Sequence, residues 1–296
     1  MEGVGGAATS PERRPGRRRA GGDAPPGGHD PYVLPRHPAE IDRLDIQHYA
    51  VRDALGANYL APIGRPASVL DVGCGPGQWA YDLCEELPGA FVMGIDLVPS
   101  KPSRPPNFHL VTGDVLHGLP LRDRRFDFVH QRFLIAGVPV RSFGRLVREL
   151  GRVTRPGGWV EVVESDSHAF LRPVGPATRR LLDLSGRLGR MVGLDTTGIV
   201  HDSMGRYLRE AGFERVESHG ASVPVGGWGG RLGEMLATDF RAMFARLGEV
   251  CEARLGTPAN EWEELRARAM EECEELHTTW RFTVFWGRRA GLGART

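Results

Sequence analysis

Val69-Leu70-Asp71-Val72-Gly73-Cys74-Gly75-Pro76-Gly77 decides how the rest of this 296-residue chain is read. An apolar run over Ser68–Val72 breaks into three glycines spaced two apart, and a helical pattern over Gly77–Glu86 follows. A strand that turns into a helix this way has no Cβ atoms to hold a ligand off its backbone. The helix start also aims free N–H groups at an anionic group. The stretch therefore predicts a site for a nucleotide-like cofactor. Gly73, Gly75 and Gly77 are its candidate contacts, with Asp71 two residues before the first glycine. Cys74, between two of these glycines, is expected to touch the cofactor as a small spacer and not to act as a nucleophile. A purely structural turn is the alternative.

Outward from this stretch, short apolar runs alternate with helical ones. Strands are predicted over Phe91–Leu97, Phe108–Thr112, Phe126–His130 and Trp159–Val163, with a helix over Ser142–Val153. Strands over Arg215–Ser218 and Trp280–Trp286 complete the set; Trp280, Phe282, Val284 and Trp286 share one side of the last. The pattern predicts an α/β fold, a doubly wound, mostly parallel seven-stranded sheet with helices on both faces. Helices over Arg179–Met191, Leu232–Leu247 and Glu261–Glu275 interrupt the alternation, and inserted cap helices are expected at about 176–192 and 229–276. Residues 38–60 read as a helix whose stripe is Ile41, Leu44, Ile46, Val51, Ala54 and Leu55, with Asp42, Arg43, Asp45 and Arg52 on other faces. They belong to an N-terminal helical cap segment, 31–65. Residues 1–30, rich in Gly, Pro, Ala and Arg, predict a disordered tail. Its run Arg13–Arg19 reads as a solvated basic tail in preference to a nucleic-acid contact.

Composition narrows the chemistry. Apolar residues make up 41% and charged residues 25%, with a formal net charge of +1, so no global field recruits nucleic acid or an anionic membrane. The glutamates from Glu249 to Glu275 also argue against a nucleic-acid groove. Lys101 is the only lysine, so no phosphate loop of the Gly-Lys-Ser/Thr kind exists. Cys74, Cys84, Cys251 and Cys273 form no C-x-x-C pair, which fits a reducing cytoplasm. No apolar run reaches the roughly 20 residues that span a bilayer, and Met1–Arg19 lacks the apolar segment of a signal peptide. The oligomeric state, a homo-oligomer included, is left open.

A dinucleotide fingerprint needs its third glycine at position 78, where this chain has Gln78. Asp96, 19 residues after Gly77, ends one strand where a carboxylate can accept both ribose hydroxyls. Gly113-Asp114 ends the next, where another can accept an adenine amino group. Asp96 could instead cap the following segment, and Asp114 could be an ordinary turn aspartate.

Val69–Gly77, Gly94-Ile95-Asp96, Thr112-Gly113-Asp114, Phe126-Asp127-Phe128 and Arg155-Pro156-Gly157-Gly158 together resemble the class I S-adenosylmethionine-dependent methyltransferases, over roughly residues 66–166 plus the closing strands. In that family the last segment is a turn before a strand. Tyr32-Val33-Leu34-Pro35, Glu40–His48, Trp79, His130-Gln131-Arg132 and Gly157-Gly158-Trp159 resemble more narrowly the methyltransferases of fungal and actinobacterial secondary metabolism. The resemblance implies a Rossmann-like fold spanning 66–296, with S-adenosyl-L-methionine as cofactor. It implies that Asp71 organises the amino-acid end of that ligand, that Asp96 and Asp114 hold ribose and adenine, that Val115 flanks the adenine, and that Leu97 is a further cofactor contact. Trp79, His130 and Gln131 are implied as further contacts. The expected partner is a small natural-product acceptor, methylated at oxygen or carbon. A regulatory protein that keeps this fold and an NAD-linked oxidoreductase are the alternatives.

Methyl transfer needs a nucleophile held about 3 Å from the methyl carbon, opposite sulfur. His130, at a strand end, is a candidate general base, since its ordinary pKa lies near neutrality; it could instead hydrogen-bond to backbone or cofactor. Glu164, Asp166 and His168 follow the next strand and could face the acceptor, with Glu164 and His168 as catalytic candidates or, alternatively, part of a solvated loop. As metal ligands, Glu164 and His168 would need further carboxylates in fixed geometry, and no metal is expected. Met235, Phe240, Met243 and Phe244 would suit an apolar acceptor, although a Met- and Phe-bearing helical face is usually core.

Overall fold

The structure, a computed structural model, describes residues 38–97, 104–166 and 170–291. The expected tail 1–30, Tyr32–Pro35, Lys101 and the candidate His168 lie outside them. Helix α1 spans Pro38–Leu55. Strand β1 (Ser68–Val72) and helix α2 (Gln78–Glu86) flank the glycine turn, and β2 (Phe91–Asp96) and β3 (Phe108–Thr112) follow. Then come β4 (Phe126–Arg132), α3 (Val140–Val153), β5 (Thr154–Ser165) and the two-residue β6 (Leu171–Arg172). Helices α4 (Pro176–Met191) and α5 (Ile199–Glu210), strand β7 (Phe213–Pro224), helices α6 (Gly230–Leu255) and α7 (Ala259–Glu275), and strand β8 (Thr279–Arg289) complete the order.

The strands form one sheet of order β3-β2-β1-β4-β5-β8-β6, with β7 pairing the other edge of β8. The first five run parallel, whereas β8 is antiparallel to β5, β6 and β7. The Rossmann-like fold expected from the pattern is present, with eight strands in place of seven because β6 adds a short pairing at the start of β8. From β1 the chain steps outward to β3, then returns to place β4 on the other side of β1. The carboxyl ends of β1 and β4 thus flank the switch point where open α/β sheets hold ligands.

Three packed layers surround this point. The helices α3 and α5 bury Phe143, Leu150, Met204 and Leu208 against one sheet face. Helix α2 buries Trp79, Leu83 and Cys84 against the other. A third core lies beyond the strand ends, where α1, α4, α6 and α7 close over Trp280, Phe282 and Val284 of β8. Phe240 and Phe244 belong to this core and are buried, so they pack the cap itself; Met235 and Met243 are only partly buried against it.

The segment Arg155–Gly158, expected as a turn before a strand, lies inside β5. The register with β4 shifts between Phe126 and Phe128, and Gly157 takes φ 79°. A bulge carries the same glycine signature as the turn that the resemblance implied. At its other end β5 continues to Ser165, two residues past the expected Val163. Glu164 is therefore a strand residue. It is fully buried and accepts from Gln131 Nε2 at 2.5 Å and from Ile135 N at 3.2 Å. Three residues earlier, Glu161 accepts from Leu60 N and Ala61 N at 2.7 Å each, tying the connection before β1 to the sheet.

Arg43, expected on a polar face of α1, is buried. It forms ion pairs with Glu40 at 2.7 Å and with Asp239 of α6 at 2.6 Å. Helix α6 lies across α1, and Asp239 supplies the charge that lets an arginine be covered.

Replacing Arg43 with Met strands two buried carboxylates. Urea unfolding should show a loss of about 3–5 kcal/mol, and a second change, Asp239→Leu, should recover much of it. Burial raises the Glu164 pKa to about 8, so the folded protein keeps a proton there that the unfolded chain has lost. Its contribution is fully present below the ordinary carboxylate pKa of about 4.3 and is lost as pH rises through about 8. Glu164→Gln mimics the protonated form, and its thermal midpoint should fall less between pH 6 and pH 8.5 than that of the unchanged protein. An equal fall in both would refute the assignment.

Candidate cofactor site

Three left-handed glycines shape the turn after β1: Gly73 at φ 72°, Gly75 at 53° and Gly77 at 93°. A side chain would be strained at each of these angles. At Gly73 a Cβ would also lie 2.4 Å from Leu134 Cδ2. Gly73 N donates to Ile95 O at 2.8 Å, which pins the turn to β2. Gly75 N donates to Asp96 Oδ2 at 2.8 Å, so the carboxylate at the end of β2 already faces the turn. Helix α2 starts with Gly77 as its N-cap and without a side-chain cap.

Asp71 and His130 are register partners across β1 and β4. Both are buried, and Asp71 Oδ1 lies 2.9 Å from His130 Nδ1. The Trp79 ring stacks on His130 at 3.7 Å between centroids and 7° between planes, and Trp79 Nε1 donates to Asn58 O at 2.7 Å. Burial lowers the His130 pKa against the opposing pull of Asp71. The ring is thus neutral at neutral pH, with Nδ1–H directed at the Asp71 carboxylate.

The other expected residues fall into two groups. Cys74 is buried in the turn, and desolvation, with Asp71 and Asp96 nearby, drives its thiol far above the usual range, so it offers no thiolate. Leu97 follows Asp96 and is 43% exposed at the strand end. Asp114 caps the 3-10 turn Val115–His117: its Oδ1 accepts from Leu116 N at 2.8 Å, and its Oδ2 lies 2.8 Å from the exposed His117 Nδ1. It also lines a cavity of about 440 Å³ with Gly113, His117, Arg145 and Glu149. Val115 packs against the α3 layer. The side chains of Gln131 and Glu164 point into that same layer, opposite the face of His130 and Trp79. Glu164 thus holds the turn after β4, and no described contact directs it toward the glycine turn. Among the described residues no three His, Cys, Asp or Glu side chains gather as a metal site requires.

Helix α1, part of the cap segment expected from sequence, completes the site through contacts whose partners the sequence did not indicate. Leu44 Cδ1 would lie 3.7 Å from a Cβ on Gly75, and Gln78 Nε2 donates to Tyr49 Oη at 3.0 Å. His48 Nε2 lies 3.0 Å from Asp82 Oδ2 of α2, and its Nδ1 lies 3.3 Å from Arg132 Nη1. Arg132 can only donate, so His48 Nδ1 accepts and Nε2–H donates to Asp82. Burial lowers the His48 pKa, in keeping with this neutral ring. Arg132 and Glu161 had detectable signals: Arg132 stands two residues from His130, hence on the same face, and Glu161 interrupts an apolar strand.

Comparison with known proteins agrees with this geometry. Residues 69–158 match the family described as "Methyltransferase domain". N-methyltransferase sirN of Leptosphaeria maculans is 30% identical over 88% of this chain and 95% of its own length. Methyltransferase pytC of Aspergillus terreus is 32% identical over 67% of this chain, which spans 62% of the pytC length. Among solved structures, Haemonchus contortus phosphoethanolamine N-methyltransferase 2, with phosphomonomethylethanolamine and S-adenosylhomocysteine, superposes with a TM-score of 0.50 at 15% identity. The match covers 83% of this chain and 57% of that one. The glycine turn at the β1–β4 switch point, its flanking carboxylates and the near-full-length match to sirN have one meaning: the chain belongs to the S-adenosylmethionine-dependent methyltransferases.

Proposed function

We propose that the chain transfers a methyl group from S-adenosylmethionine to a small natural-product-type acceptor. The observation that carries this is the contact between the Asp96 carboxylate and Gly75 N at 2.8 Å, beside the buried Asp71. Two acids on neighbouring strand ends there frame a turn without Cβ atoms. The uncapped start of α2 suits the carboxylate of the ligand's amino-acid end. Asp71, held by His130, organises that end; Asp96 takes the ribose hydroxyls; Leu97, Val115 and Asp114 flank the adenine. When bound, S-adenosylmethionine supplies an electrophilic methyl carbon on a cationic sulfur.

His130 serves as a positioning residue. Its Nδ1 is committed to Asp71 and its ring is covered by Trp79, so it fixes the Asp71 carboxylate in place. The acceptor approaches beyond β4, where the partly buried Phe133 meets Trp280 at 5.1 Å and Phe282 at 5.9 Å. The sirN relative is named an N-methyltransferase, which supports nitrogen as the acceptor atom over the oxygen or carbon expected from sequence. An amine in its neutral form attacks without a general base, in keeping with Asp71 and Glu164 being buried and engaged.

Titration calorimetry with S-adenosylhomocysteine, followed by labelled-methyl transfer to a panel of amines and phenols, tests this function. Asp96→Ala and Asp71→Asn should each weaken the ligand by roughly tenfold or more, the scale of a lost charged hydrogen bond. Asp114→Ala should cost less affinity and more stability, because both its oxygens serve the 3-10 turn. No heat from the unchanged protein would refute the function.

A further inference from the structure

Arg132 ends β4 beside the first glycine of the turn, since Val72 pairs with Gln131 one position earlier. Its side chain reaches the α1 side, the face of His130 and Trp79, where it meets His48 Nδ1 at 3.3 Å. The only other described contact of its guanidinium is the Phe133 ring at 5.9 Å. Among the described residues, no carboxylate lies within ion-pair distance. Asp71, Asp82 and Glu161 act on it only from farther away, and burial lowers its pKa to about 10.

The contrast with Arg43 is direct. Arg43 is buried and two carboxylates meet it at 2.6–2.7 Å, whereas Arg132 is only partly buried and meets none. Even a partly desolvated cation loses hydration that a counter-ion would replace, and burial already lowers the Arg132 pKa. Arg132 has only a neutral imidazole, which orients it without neutralising it. Its backbone lies at the edge of the glycine turn, the same turn that leads into the uncapped start of α2. Both elements favour a carboxylate, and a guanidinium can grip one through two parallel hydrogen bonds.

We propose that Arg132 is the counter-ion for the carboxylate on the amino-acid end of the bound adenosyl ligand, with His48 of α1 holding the guanidinium in place. This rests on the cofactor placement given under Proposed function. It adds a cation beside the buried Asp71 and the glycine turn. It also links α1 to ligand binding through a single hydrogen bond.

Calorimetry with two probes separates the outcomes. One is S-adenosylhomocysteine; the other is its decarboxylated counterpart, which keeps the adenosine, thioether and ammonium groups. The unchanged protein should prefer the carboxylate-bearing probe by roughly ten- to a hundredfold. Arg132→Gln should abolish most of that preference by weakening S-adenosylhomocysteine alone, and Arg132→Lys should restore part of it. Circular dichroism and thermal melting establish that each variant is folded. Equal affinity of the unchanged protein for both probes overturns the proposal without any variant. So does a preference that survives in folded Arg132→Gln or, if that variant does not fold, one undiminished in Arg132→Lys. Failure of the unchanged protein to bind either probe would overturn the cofactor placement itself.

Discussion

A buried carboxylate at the carboxyl end of β1 constrains everything around it. Asp71 is 3% exposed, so its charge has to be met inside the protein. His130 meets it, and can do so only because β4 is the strand that pairs β1 in parallel register. The imidazole in turn needs a roof, which Trp79 provides from the first turn of α2. The glycine turn connects these pieces, since it must bring α2 back over the sheet within five residues of Val72. The acid, the imidazole, the indole and the turn therefore form one unit.

Around that unit the molecule handles buried and partly buried charge in two ways. Where a charge only has to hold the fold, its partners are internal and complete. Arg43 has Glu40 and Asp239, and Glu272 of α7 accepts from Ala177 N, Thr178 N and Thr178 Oγ1 at the start of α4. Near the glycine turn the partners are fewer. Arg132 has an imidazole, and one oxygen of Glu161 is buried without a hydrogen-bond donor among the described groups.

The glycine turn, the strands and the strand-end acids were legible because each is a local pattern of a few residues. Apolar runs mark parallel strands whatever lies elsewhere in the chain. Partnerships across long separations were not legible. Asp239 lies 196 residues from Arg43, and nothing near Arg43 announces that it is covered. Glu164 shows how a small error in length propagates. A strand ending at Val163 leaves the next acid free to face an acceptor, whereas a strand continuing to Ser165 turns it toward α3 by the alternation of the pleat. Phe240 and Phe244 were read as either core or acceptor lining, and only the position of β8 under α6 resolves them as core.

The tautomer of His48 has a consequence of its own. One added proton on Nδ1 would replace an acceptor with a donor facing another donor, and place a second positive charge 3.3 Å from Arg132 Nη1. Asp82 on the far side would still welcome that charge, so acidification would pull the ring toward α2 and away from β4. At this residue the first helix would keep its tie to α2 and lose its tie to β4.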